Sequence, residues 1–179
     1  MNKLLIYSIA LFFINSVYAQ KYKSDKSAVT FYSVAPIENI ESTNIKSQSM
    51  LDISNQNIVF SIPIDGFELE KALMQEHFNE KYMETEKFPK STFSGKFDGF
   101  DINKEGNQEV KAKGKLTIHG VTKTIKVSGN MKFEENRIVL TCTFKVKLDD
   151  YEIARPQVLW QNIAEVVDVK LLFEYAKTD

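Results

Sequence analysis

KAKGKLTIHGVTKTIKVSGNMKF, residues Lys111 to Phe133, consists of two alternating runs around a glycine-containing turn. Val110, Ala112, Gly114, Leu116 and Ile118 share one parity, and Lys111, Lys113, Lys115 and Thr117 share the other. After the turn at His119 to Thr122 the pattern resumes, with Ile125, Val127, Gly129, Met131 and Phe133 set against Thr124, Lys126, Ser128, Asn130 and Lys132. Side chains of a strand alternate between its two faces, so the stretch predicts an antiparallel hairpin with one apolar and one wet side. The apolar side must be covered by a second sheet, by closure of its own sheet, or by a ligand.

Outward from this hairpin the same period recurs. Ile138, Leu140, Cys142, Phe144, Val146 and Leu148 alternate with polar and β-branched residues over Arg137 to Leu148, and Val167, Val169, Leu171, Phe173 and Tyr175 form a last strand. Upstream, Tyr22 to Ser33, Ser49 to Asp52, Asn57 to Pro63 and Ser91 to Phe100 read as strands, while Ile37 to Ser47 has no clear period. Only one segment changes rhythm. Leu69, Leu73, His77 or Phe78, and Tyr82 recur every four or so residues, predicting one amphipathic helix over Glu70 to Met83 that stops before Phe88-Pro89. The connection from Asp149 to Asn162 is irregular. With about eight strands to one helix, closure into an antiparallel barrel removes edges that would otherwise invite pairing with other chains.

The first 19 residues are expected to be an export signal, with Lys3, the apolar run Leu4 to Ile14, and Val17-Tyr18-Ala19 before Gln20. Residues 20–179 then form one domain of 160 residues that should be periplasmic or secreted. Lys3 is the one charged residue removed, leaving 22 Lys plus Arg against 24 Asp plus Glu, a formal charge of −2. That balance argues against nucleic acid as a partner, and no later stretch is apolar over a membrane-spanning length. The single Cys142 cannot form an internal disulfide, and a homodimer is compatible with the composition.

Motifs for chemistry are few. The two histidines, His77 and His119, lie on the predicted helix and in the hairpin turn, and with one cysteine they assemble no zinc set. The chain has neither a phosphate loop nor a nucleophile elbow, so neither an enzyme nor a cofactor is expected. An eight-stranded interior can be filled with side chains or hold one small ligand. For a ligand, the wall would come from the inward aromatic residues Phe60, Phe93, Phe97 and Phe144 and from the aliphatic Leu116, Val127 and Leu140. Gly95, Gly114 and Gly129 share the inward parity, where a missing side chain marks either tight curvature or room for a long apolar chain. Leucine in place of Gly114 or Gly129 would in the second case reduce lipid loading without altering strand content. Arg155 would pair with Asp149 or Asp150, or meet a headgroup at the mouth, and Trp160 and Tyr151 would lie at the same end.

Gly114-Lys115-Leu116-Thr117-Ile118-His119-Gly120-Val121-Thr122-Lys123 resembles the Gly-x-Leu-Thr-x-x-Gly-Val-Thr-Lys hairpin of the YceI-like family, exported lipocalin-like proteins that bind polyisoprenoids and related lipids. Phe88-Pro89-Lys90-Ser91-Thr92-Phe93 resembles the family's Tyr/Phe-Pro-x-x-x-Phe element, and Asp150-Tyr151-Glu152-Ile153 is similar to its Asp-Phe-Gly-Ile element. The resemblance runs in order over nearly all of Gln20 to Tyr175. It implies an eight-stranded lipocalin-like barrel with a tunnel for a long-chain lipid or isoprenoid, and no enzyme activity. Two departures bear on the ligand. Leu73 to Phe78 lacks the Arg-Asp pair often found before the family's His-Leu, and Tyr151-Glu152 stands in place of Phe-Gly.

Overall fold

Alternating faces force the chain into strands, and the computed structural model shows how they close; it describes residues 20–34, 39–154 and 164–178. In chain order the strands are β1 (Lys21–Ser33), β2 (Ile40–Asn44), β3 (Gln48–Asp52), β4 (Asn57–Pro63), β5 (Lys90–Asp98), β6 (Gly106–Ile118), β7 (Val121–Glu134), β8 (Arg137–Lys147) and β9 (Val166–Lys177). Neighbours pair antiparallel in the order β2-β1-β3-β4-β5-β6-β7-β8-β9, and β1 also pairs with β9, so the sheet closes on itself. β2 and β3 meet the same side of β1 in one continuous register, Val29↔Asn44 and Tyr22↔Leu51, which makes them two halves of a single wall strand and the barrel eight-stranded.

The break between those halves explains why Ile37 to Ser47 has no clear period. Asn44, fully buried, donates from Nδ2 to the Pro63 carbonyl at 2.5 Å and accepts at Oδ1 from the Lys46 amide at 2.7 Å. Ser27 Oγ donates to the Ser47 carbonyl at 2.8 Å, so side chains replace the missing backbone ladder. The hairpin turns have a similarly local cause. His119 and Gly120 (φ +49° and +75°), like Glu135 and Asn136 (φ +50° and +60°), carry positive φ at both central residues, as a two-residue hairpin loop that follows the sheet's twist requires.

The predicted helix is shorter than its pattern. α1 spans Ala72–His77 and continues as a wider π turn over Phe78–Tyr82. Leu69, His77, Phe78 and Tyr82 face the cavity as their spacing predicts, with Met74 in place of Leu73, which is 60 % exposed. The segment lies across one end of the barrel, where Phe78 stacks on Phe31 at 5.6 Å and Phe67 meets Phe31 at 5.3 Å.

The opposite end is solid. Tyr22, Leu51, Met131, Ile138, Phe173 and Tyr175 are at most 2 % exposed and plug the base. Within the plug the Tyr175 hydroxyl donates to Ser49 Oγ at 2.7 Å, and Ser49 in turn donates to the Val59 carbonyl at 2.8 Å. Burial pushes the Tyr175 phenol well above its usual range, keeping it a neutral donor. Tyr175→Phe should cost about 1 kcal/mol, the net worth of one buried hydrogen bond, measured as a shift in the denaturation midpoint at unchanged slope.

Candidate functional site: the apolar cavity and its surroundings

Between the plugged base and the helix-covered end lies a cavity of about 290 Å³. It forms because the inward positions of the upper wall are small or stand apart: Ala112, Ile125, Val127, Cys142, Phe144, Val169 and Leu171 are only partly buried, whereas the inward residues below them are sealed. Phe60, flanked by Phe93 at 6.1 Å and Phe173 at 4.9 Å, separates the hollow from the plug. Apart from Ser33, Ser91, His77, the Cys142 thiol and the Tyr82 phenol, the lining is aliphatic or aromatic, and it holds neither Lys nor Arg among the described residues.

Most of the wall expected from the sequence lines this hollow, namely Phe60, Phe93, Phe97, Leu116, Val127, Gly129, Leu140 and Phe144. Gly95 and Gly114 do not. They face each other across β5 and β6, and a Cβ on Gly114 would collide with the Ser94 carbonyl and lie 2.6 Å from both the Gly95 Cα and the Phe93 ring. Their missing side chains serve the close approach of two strands, with the Phe93 ring lying over the gap. Arg155 and Trp160 lie outside the described residues, and Asp150, a candidate partner of Arg155, is 2.8 Å from Lys123. Parity alone would have identified Val29, Phe31, Val169 and Leu171 as further lining residues, since they alternate on β1 and β9. On the helical segment Phe78 and Tyr82 lie on the stripe that the four-residue rhythm predicts, while Met74 carried no such signal, because only docking of the helix brings it to the cavity.

The three motif elements meet outside the cavity. The His119 ring packs edge-on against Phe88 at 4.5 Å, its Nδ1 is 3.3 Å from the Tyr151 carbonyl, and its Nε2 is 2.8 Å from Glu84 Oε2. That last contact has ion-pair distance but misses hydrogen-bond direction. A Cβ on Gly120 would lie 2.5 Å from the Phe88 ring, so the glycine is needed both for its φ and for this approach. Lys123 reaches Asp150 at 2.8 Å, and this bond holds the Asp150 carboxyl below its ordinary pKa. Glu84 and Phe88 follow the helical segment directly, so the constellation is a latch joining the β6–β7 tip, the segment after the helix, and the Leu148–Tyr151 turn after β8.

Chemistry at the cavity is restrained. Burial pushes the Cys142 thiol up to about 11, which leaves it protonated and a poor nucleophile at neutral pH. Among the described residues no group of three or more His, Cys, Asp or Glu is placed to hold a metal ion, and no helix is long and apolar enough to cross a membrane. What the hollow can do is bury hydrocarbon.

Comparison with known proteins follows the same line. The family described as YceI-like domain matches residues 21–175. A polyisoprenoid binding domain from Saccharophagus degradans, implicated in plant cell wall breakdown, superposes with a TM-score of 0.75 at 16 % identity, covering 88 % of this chain and 98 % of that one. BcnA of Burkholderia cenocepacia gives 0.71 at 18 % identity over 83 % and 95 %. A Campylobacter jejuni YCEI protein gives 0.56 at 16 % over 100 % and 90 %. At these identities the likeness establishes the fold. No curated protein matches the chain.

Proposed function

The chain belongs to the YceI-like family, and on that premise we propose that it binds a long apolar lipid, an isoprenoid or acyl chain, inside the barrel, without catalysis, in the periplasm or after secretion. One observation carries this reading: a cavity of about 290 Å³ with an almost wholly hydrocarbon lining. At roughly 30 Å³ per group, a water's share of liquid volume, it takes about ten methylenes. At about 0.8 kcal/mol each they contribute about 8 kcal/mol, comparable with the association cost of about 4 to 15 kcal/mol. Affinity on this arithmetic is modest, as suits a carrier that must release its cargo. The Saccharophagus degradans relative, named as a polyisoprenoid binding domain, supports the same class of ligand.

An interaction module with a filled barrel is the second reading, and the solid base favours it in part. The hollow above that base has no structural use in such a module, since an unfilled apolar cavity only costs stability. Native mass spectrometry and organic extraction of protein purified from its own host should recover a prenyl or acyl chain at up to one per protein. Protein that is repeatedly empty, and that takes up no lipid when offered it, would refute carriage.

A further inference from the structure

The barrel wall has a slot in it. β7 stays paired to β6 up to Val121, and β8 stays paired to β9 up to Lys147, yet β7 and β8 pair with each other only from Gly129↔Cys142 to Glu134↔Arg137. Continuing that register would set Val127 against Phe144 and Lys126 against Lys145, and these pairs do not form. The opening has two firm ends. Below, the Cys142 thiol donates to the Ser128 carbonyl at 3.3 Å; above, the latch closes it through Lys123 to Asp150 at 2.8 Å.

Side chains register the change. Deep in the ladder Met131, Ile138 and Leu140 are 0 %, 0 % and 4 % exposed; from Cys142 upward beside the slot Ile125, Val127 and Phe144 are partly exposed and line the cavity, and Val146, next to the latch, is buried again. Backbone groups left without a strand partner need water or another partner, and on its inner side the slot leads to hydrocarbon.

The outer wall beside it is charged in an unusual way. Lys96, Lys113 and Lys126 are direct cross-strand neighbours on β5, β6 and β7, all exposed, and none makes an ion pair among the described residues. Like charges set directly opposite one another destabilise a sheet. On the other side of the slot Lys145 and Lys147 are neutralised, by Asp168 at 2.9 Å and Glu165 at 3.0 Å. An uncompensated positive row therefore stops at one edge of an opening into an apolar cavity whose own described lining contains neither Lys nor Arg.

We propose that this slot is a lateral port: the tail of an amphiphile passes between β7 and β8 into the cavity while its anionic headgroup, carboxylate or phosphate, stays outside on Lys126 and Lys113. Lys126 points outward between Ile125 and Val127, which point inward, so a headgroup held there continues directly into a tail held by its neighbours. The port rests on the lipid-carrier reading and adds to it a route and a headgroup site.

Dodecanoate and 1-dodecanol share a tail and differ in headgroup charge, so their dissociation constants separate the two levels. Lys113→Glu/Lys126→Glu should weaken dodecanoate at least tenfold and leave dodecanol within twofold, while Lys21→Glu/Lys177→Glu at the base, an equal charge change, should alter neither. A second measurement tests the route: a bulky maleimide adduct on Thr143→Cys, at the slot edge, should slow dodecanoate uptake at least tenfold, and the same adduct on Thr92→Cys, on the outer wall near the helix-covered end, should not. Both amphiphiles binding to every variant alike, or uptake blocked at Thr92 and not at Thr143, would overturn the port alone. Failure of both amphiphiles to bind the wild-type protein would overturn the cavity reading and the port with it.

Discussion

Gly114→Leu should destabilise the barrel rather than empty it. The sequence suggests that leucine at this inward position would displace lipid and leave the strands intact, but the backbone leaves no room even for a methyl group: a Cβ there meets the Ser94 carbonyl and lies 2.6 Å from the Gly95 Cα. Strand β5 would have to move away from β6, breaking register with Phe93↔Leu116 and Phe97↔Ala112 on either side. Overpacking of this kind typically costs about 1 to 3 kcal/mol, and here the clash is with backbone, so a loss at or beyond the upper end of that range is expected. Against a total stability of about 5 to 15 kcal/mol, that is a large fraction. Chemical denaturation of the variant checks it; a midpoint equal to wild type would show that the two strands are not held at this approach.

Ala112→Phe should do what Gly114→Leu cannot. Ala112 lies between Phe97 and Val127 in the ladder, already carries a Cβ, and faces the hollow. A phenyl ring placed there fills space otherwise left to ligand. Displacing about three methylenes at about 0.8 kcal/mol each removes about 2.4 kcal/mol, roughly a 50-fold loss of affinity for a single-chain lipid. Strand content by circular dichroism should not change, and the thermal midpoint should hold or rise because a cavity is being filled. Undiminished lipid loading in the folded variant would place the ligand elsewhere.

Gly95 and Gly114 also mark where inference from sequence stops. Parity places them on the inner face correctly, yet a glycine facing inward is read alike whether it makes room for a ligand or for a neighbouring strand. That distinction lies in an interstrand approach of a few ångströms, which depends on residues far away in the chain. The signature around His119 is similar. Its residues are recognisable as a motif, but their task, latching the hairpin tip to Phe88 and Tyr151, appears only when three separate segments are brought together. The helix shows the reverse case. Its existence and most of its cavity-facing stripe are legible from a four-residue rhythm, and the place of Met74 in that stripe instead of Leu73 is decided only by how the segment docks.

By itself the sequence determined the parity of β4 to β9, hence which of their side chains face inward, and it determined the hairpin of β6 and β7, the helix and the family. These depend on local periods and on neighbouring residues, which a linear string preserves. In β1 a bulge between Ser24 and Lys26 puts Tyr22 and Val29 on the same face, which alternation alone does not give. Only the tertiary structure decided that the base is plugged while the upper half is hollow, that Gly95 and Gly114 bring strands together, and that β7 parts from β8 above Cys142. The physical reason is common to all three: each is set by the distance between inward groups or strands remote in sequence, and alternation specifies a side chain's direction without specifying what it meets.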